Sequence, residues 1–75
     1  MSTMADASAH TVIVNGQHEP LDDARTVGDL LDRMSLRGKR IAVERNGEIV
    51  PRSMFDHSAL SPGDRVEIVI AVGGG

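Results

Sequence analysis

Cysteine, tryptophan and tyrosine are absent from this chain, and one phenylalanine is its only aromatic side chain. Without cysteine there are no disulfide staples, no Cys-ligated zinc and no thiol nucleophile. Without aromatics there are no platforms for stacked nucleic-acid bases. Cationic charge is scarce too: 8 Lys and Arg stand against 11 Asp and Glu, for a net charge of −3. That balance disfavours a phosphate-backbone partner. No apolar run approaches the roughly 20 residues that span a bilayer. Met1 to His10 also lack the basic start and apolar stretch of a secretory signal. The expectation is a cytoplasmic protein with neither a membrane nor a nucleic-acid partner. Length is limiting as well. A chain of 75 residues forms one small domain, and such a domain buries only about 60% of its unfolded surface. That is too little to enclose a deep pocket and keep a core, so the chain is expected not to be an enzyme.

What is present is punctuated clearly. Thr11-Val12-Ile13-Val14 is β-branched throughout and predicts a strand. Asn15-Gly16 follows as a hairpin turn, because both residues accept positive φ. The return strand, Gln17 to Leu21, contains Pro20, which has no N–H to donate; it is therefore an edge strand or ends at Glu19. Thr26 and Asp29 have capping-box spacing. Val27, Leu30, Leu31 and Met34 form one apolar helical stripe. The spacing predicts a helix over Val27 to Leu36, stopped by Gly38, with Gly28 allowing close packing on a sheet. Arg40 to Glu44 alternates, Asn46-Gly47 is a second hairpin turn, and Glu48-Ile49-Val50 returns before Pro51. Arg52 to Leu60 is irregular, with room for a short helical turn, and Phe55 and Leu60 are expected over one end of the core. Ser61-Pro62-Gly63-Asp64 has type II turn chemistry. Arg65 to Val72 is the longest strand, with Val66, Ile68, Ile70 and Val72 on one face.

The order is hairpin, helix, hairpin, loop, strand. One helix covers one face of a sheet, and the two most apolar strands, the first and the last, belong together at its centre. They would run parallel, with the helix in the crossover. This is an α+β fold of the β-grasp, or ubiquitin-like, class: a mixed sheet of four to five strands with one main helix on one face. A ferredoxin-like fold needs a second full helix, for which Arg52 to Leu60 has no pattern. The organisation expected is a flexible extension over residues 1–10, a domain over 11–72 and a flexible glycine tail over 73–75.

Few residues carry chemistry. His10, His18 and His57 are scattered, and their spacing does not suggest a metal site. Asp22-Asp23 complements the helix N-terminus. Ser53, Ser58 and Ser61 are turn residues without a nucleophile elbow. Arg37-Gly38-Lys39-Arg40 is a short basic run, either a solvated helix end or a contact for an acidic partner. The exception is Gly73-Gly74-Gly75, directly after the strongest strand. Three glycines extend roughly 10 Å and pass through channels too narrow for a side chain. An α-carboxylate at the tip, with a pKa of about 3.3–3.7, is ionised. The residues alone leave two readings open: a frayed end, or a tail that enters another protein's active site as a substrate.

Several segments in one order carry a resemblance. They are Val14-Asn15-Gly16, Thr26-Val27-Gly28-Asp29-Leu30-Leu31, the run Ala42 to Arg52 around Asn46-Gly47, and Gly63 to Val69 leading into Ala71-Val72-Gly73-Gly74-Gly75. Together they resemble the ubiquitin-like sulfur carriers, and within these the ThiS family of thiamin biosynthesis. The small subunit of molybdopterin synthase shares the fold and tail but has a Pro-rich lead-in that Ile70-Ala71-Val72 lacks. Phe55 and the segment before Thr11 depart from the family pattern.

The resemblance implies that an E1-like, ThiF-like adenylyltransferase uses ATP to adenylate the Gly75 carboxylate. A sulfur donor such as a cysteine desulfurase then converts it to a thiocarboxylate, and a ThiG-like thiazole synthase takes the sulfur. Gly73 and Gly74 would give access, and this chain would bind no metal and no cofactor of its own. The tail offers little surface, so the partner must grip the body. The sheet face away from the helix, with Ile13, Ala42, Val69 and Ala71 rimmed by Arg40, Glu44, Arg65 and Glu67, is the expected partner surface. Two alternatives remain, a ubiquitin-like modifier forming isopeptides through Gly75 and a β-grasp interaction module with inert glycines.

Overall fold

Two Asn-Gly turns frame the sheet. Asn15 and Gly16 have φ of 49° and 85°, and Asn46 and Gly47 have 52° and 86°, the left-handed pair that folds a strand tightly back on itself. The first turn joins β1 (Thr11–Val14) to β2 (Gln17–Pro20), and the second joins β3 (Ile41–Arg45) to β4 (Glu48–Val50). Helix α1 (Val27–Arg33) lies between the hairpins; a 3-10 helix (Arg52–His57) and β5 (Arg65–Ile70) complete the order. This is a computed structural model, and it describes residues 10–71. The expected extension, apart from His10, and Val72 with the glycine tail lie outside those residues.

The sheet order is β2-β1-β5-β3-β4. As the sequence predicts, β1 and β5 are parallel neighbours at the centre, and β2, ending at Pro20, is an edge. Hairpin β3–β4 is antiparallel and joins β5 with Val43 opposite Ile68. Val12, Val14, Val43, Val50, Val66 and Ile68 turn to one side, where Val27, Leu30, Leu31 and Phe55 close the core. Leu60 packs against it. Burying side chains of this size stabilises the fold by about 1.5–3 kcal/mol each.

The capping box is complete. The Asp29 N–H donates to Thr26 Oγ1 (3.1 Å), and Asp29 Oδ2 accepts from the N–H of Thr26 (3.1 Å) and of Arg25 (2.9 Å). Those backbone donors hold the Asp29 pKa below the usual carboxylate value.

Three details of the helix differ from expectation. It ends at Arg33, with Met34 as C-cap, rather than running to Leu36. The left-handed residue that stops it is Ser35, at φ 60°, and not Gly38. Leu36 N–H reaches back to Leu31 C=O (2.8 Å) and Ser35 N–H to Asp32 C=O (3.1 Å), which is a Schellman closure. Burial of Leu36 against the core selects this earlier stop, and Met34, expected in the apolar stripe, is 38% exposed. Gly28 packs closely, but not on the sheet. A Cβ there would collide with Asp56 Oδ1 and Arg37 Nη2, whose ion pair crosses the helix surface.

The start of β5 is fixed by a buried carboxylate. Asp64, in the turn after Pro62-Gly63, accepts from Ser61 N–H (2.8 Å), Asn46 Nδ2 (3.0 Å) and Arg45 Nε (2.9 Å). Burial pushes its pKa up, but the bonds from Asn46, Ser61 and Arg45 outweigh this and hold it below the usual value. One charged group thus joins β3, the second hairpin turn and the entry to β5.

Two outcomes follow for stability. Ser35→Gly removes a side chain from the left-handed region and should raise stability by about 1 kcal/mol in urea unfolding. Asp64 has a depressed folded pKa, so its contribution is present above the unfolded pKa of about 3.9 and is lost as pH falls through the folded value. Asp64→Asn should therefore cost about 2 kcal/mol at neutral pH. Its deficit should shrink as pH falls below about 4, read from unfolding curves of both proteins across that range.

Candidate functional site at the root of the tail

β5 leads directly into the glycine segment, so whatever holds β5 holds the root of the tail. On one side β3 pairs with it from Val66 to Ile70. On the other, β1 pairs only at Ile13↔Arg65 and Val14↔Val66 before turning away. The Asn15 side chain then takes over. Its Oδ1 accepts from Ile68 N–H (2.8 Å) and its Nδ2 donates to Ile68 C=O (3.1 Å). A side-chain amide offers the same donor and acceptor as a peptide, so Asn15 adds one rung to the ladder. Just past β5, Ala71 N–H donates to Arg40 C=O (2.9 Å). The backbone is held as far as Ala71. Gly73, Gly74 and Gly75 lie outside the described residues.

The registers define the sheet surface opposite α1. Ala42 faces Val69, Glu44 faces both Glu67 and Ile49, and Ile13 lies beside Arg65. Of the expected partner face, Val69 is 64% exposed, Ala42 and Ala71 are exposed, and Ile13 is half-buried. Glu44, Glu67 and Arg65 share this surface, and Arg40 stands at its tail end, bonded to Ala71. Sequence reasoning missed Ile49, the most exposed large apolar side chain described, at 75%. The signal was available: a two-residue Asn46-Gly47 turn sets Arg45 opposite Glu48 and hence Ile49 opposite Glu44.

The other candidates stay apart. His18 lies on β2, with Nδ1 3.2 Å from Thr11 Oγ1, while His57 ends the 3-10 helix beyond the far side of the sheet. Among the described residues no group of three or more His, Asp or Glu converges to hold a metal. No described helix is long and apolar enough to cross a membrane. Asp22 lies 3.9 Å from Arg33, and Ser61 serves the turn at Asp64.

Within the basic run, Arg37 is saturated. It bridges Asp32 (2.7 Å) and Asp56 (2.7 Å), tying α1 to the 3-10 helix. Its hydrogen bond to Asp32 holds that carboxyl below its usual pKa. An open hollow of about 350 Å³ lies between β4 and the 3-10 helix, lined by Ile49, Met54 and His57 among others. The described residues present a firmly held strand and an open apolar face, and the glycines follow in the sequence.

Known proteins share this arrangement. The ThiS family model matches residues 9–75. The chain is 42% identical over 53 residues to the sulfur carrier protein ThiS of Bacillus subtilis (strain 168), covering 71% of this chain and 80% of that protein. It is 39% identical over 64 residues to a thiazole synthase of Paramagnetospirillum magneticum, covering 85% of this chain; the match spans only 20% of that much longer protein. The crystal structure of the thiamine biosynthesis protein ThiS of Geobacter metallireducens superposes with a TM-score of 0.72 at 34% identity, covering 87% of this chain and 99% of that one. Both hairpins, the capped helix and the run into the glycines fall within the matched residues, and the chain belongs to the ThiS family, the sulfur carriers of thiamin biosynthesis.

Proposed function

We propose that this chain carries sulfur on the α-carboxylate of Gly75 and delivers it as a thiocarboxylate for the thiazole ring of thiamin. The observation that carries the reading is the placement of Val72-Gly73-Gly74-Gly75 directly after a central strand held as far as Ala71. A rigid root with side-chain-free residues beyond it suits delivery of an acyl group into a narrow site.

The chemistry fits a protein without cysteine. A carboxylate is a poor electrophile. Its oxygen attacks the α-phosphorus of ATP on an E1-like, ThiF-like partner, pyrophosphate leaves, and an acyl-adenylate forms. A persulfide, such as that of a cysteine desulfurase, attacks the acyl carbon and expels AMP. The resulting acyl disulfide is cleaved by a second thiol, which is oxidised to a disulfide as the thiocarboxylate is released. This chain has no sulfhydryl on which to hold sulfur otherwise. It supplies the acyl group and the docking surface, and its partners supply the catalysis and the ATP. The match to part of a thiazole synthase supports such an enzyme as the acceptor.

Ordering each tail residue costs roughly 1–2 kcal/mol, and more for glycine. The folded body must therefore provide the grip. Ile13, Ala42, Val69 and Ala71 are the surface we assign to it, joined by Ile49.

Incubation with the activating enzyme, ATP and a sulfur source should make the protein reactive to a thiol alkylator. The label should map to Gly75 by peptide mass, which also establishes that residue as the last one. Absence of label would overturn the reading. Lysine-linked conjugates in its place would make the chain a modifier. Val69→Glu, at a position already open to solvent, should keep the melting temperature. It should also lower kcat/KM for adenylation about tenfold, the effect of placing an unpaired charge in an apolar contact; unchanged kinetics would remove this face from the proposal.

A further inference from the structure

The sulfur-carrier reading does not use the basic run from Arg37 to Arg40, yet the fold brings it to Ala71, just before the glycines in sequence. β3 is antiparallel to β5, so its first residue, Ile41, lies opposite the last residue of β5, Ile70. Arg40, just before β3, accepts the Ala71 N–H. Lys39 is next to it, and its C=O lies 3.4 Å from Arg52 Nη2. Arg37, Gly38, Lys39, Arg52 and the ring of Phe55 line an open hollow of about 260 Å³ at this corner.

The cations here are not equivalent. Arg37 is neutralised by Asp32 and Asp56. Among the described residues no carboxylate lies within ion-pair distance of Lys39, Arg40 or Arg52. Toward the other end, where β5 begins, charges of both signs are mixed: Asp22, Asp23, Glu48 and Asp64 lie there, since Pro20 pairs with Thr11 and Glu48 with Arg45, together with Arg25, Arg33, Arg45 and Arg65. Arg33 and Arg45 are already paired there. A chain of net charge −3 is thus cationic at the point where its tail departs.

Resting on the sulfur-carrier reading, we propose that Lys39, Arg40 and Arg52 form a docking corner for an acidic surface of the adenylating enzyme that receives the tail. An apolar sheet face attracts without direction, whereas a local cluster of unpaired charge orients the approach and raises the rate of productive encounter. The corner adjoins Ala71, the last described residue before the glycines, so a partner with an acidic rim around its entrance would be drawn to the root of the tail. The net negative charge disfavours a nucleic acid as the occupant.

The test uses the full chain. An oligoglutamate peptide titrated into labelled protein should shift the amide resonances of Gly38, Lys39, Arg40 and Arg52, saturably. The shifts should vanish in the K39E/R40E/R52E variant and weaken in the milder K39Q/R40Q/R52Q variant, whose unchanged melting temperature verifies folding. In adenylation kinetics the charge-reversed variant should raise KM about tenfold. Its kcat should be unchanged, and the salt dependence of kcat/KM should flatten. Shifts spread equally over Arg25 and Arg65, or an unchanged KM and salt dependence, would overturn the proposal. If Gly75 of the unaltered protein is never adenylated, the carrier reading fails; the peptide titration still decides whether this corner binds carboxylates.

Discussion

β5 enters the sheet at Asp64 and leaves it at Ala71, and another element grips it at both points. At the entrance, Arg45, Asn46 and Ser61 converge on the buried Asp64 carboxylate. At the exit, Arg40 holds the Ala71 N–H. Between them β3 pairs along the strand, and Asn15 supplies a peptide-like rung where β1 has turned away. The central parallel pair, the covering helix and the open face all take their positions from this strand.

In the carrier proposed above, that arrangement separates delivery from recognition. The glycine segment has no side chains with which to recognise a partner. On that proposal recognition comes from surfaces that flank the tail's root, and two exposed surfaces meet at Ala71. One is the apolar side of the sheet with Val69, Ala42 and Ile49. The other is the cationic corner at Lys39, Arg40 and Arg52. Apolar contact contributes adhesion that is nearly independent of salt, while exposed charge contributes orientation that salt weakens. On the reading proposed above the chain would leave one enzyme to meet the next, and a contact of modest area steered by charge suits repeated short encounters.

Much of this was legible in the sequence, for local reasons. Asn15-Gly16, Asn46-Gly47 and the Thr26–Asp29 box act through backbone geometry within a few residues, so their chemistry is readable without the fold. Pro20 declared its strand an edge by lacking a donor. The parallel pairing of β1 with β5 followed from placing the two most apolar strands together. What escaped were decisions made by tertiary contacts. Leu36 is drawn into the core, so the helix stops at Ser35, although Gly38 is intrinsically the better stop. Gly28 is small because Arg37 and Asp56 cross above it, a contact between segments that sequence spacing does not connect. The reach of Asn15 to Ile68 spans most of the domain and has no local signature. Ile49 was readable from the hairpin register but not from its own short, ordinary strand.

The outermost strands have a consequence of their own. β2 finishes in Pro20, and β4 is only three residues long. A longer, regular border would invite a second copy to pair with it and start an extended ribbon, a hazard for any abundant small β protein. With a blocked end on one border and a stub on the other, neither edge offers a second copy a long ladder to extend.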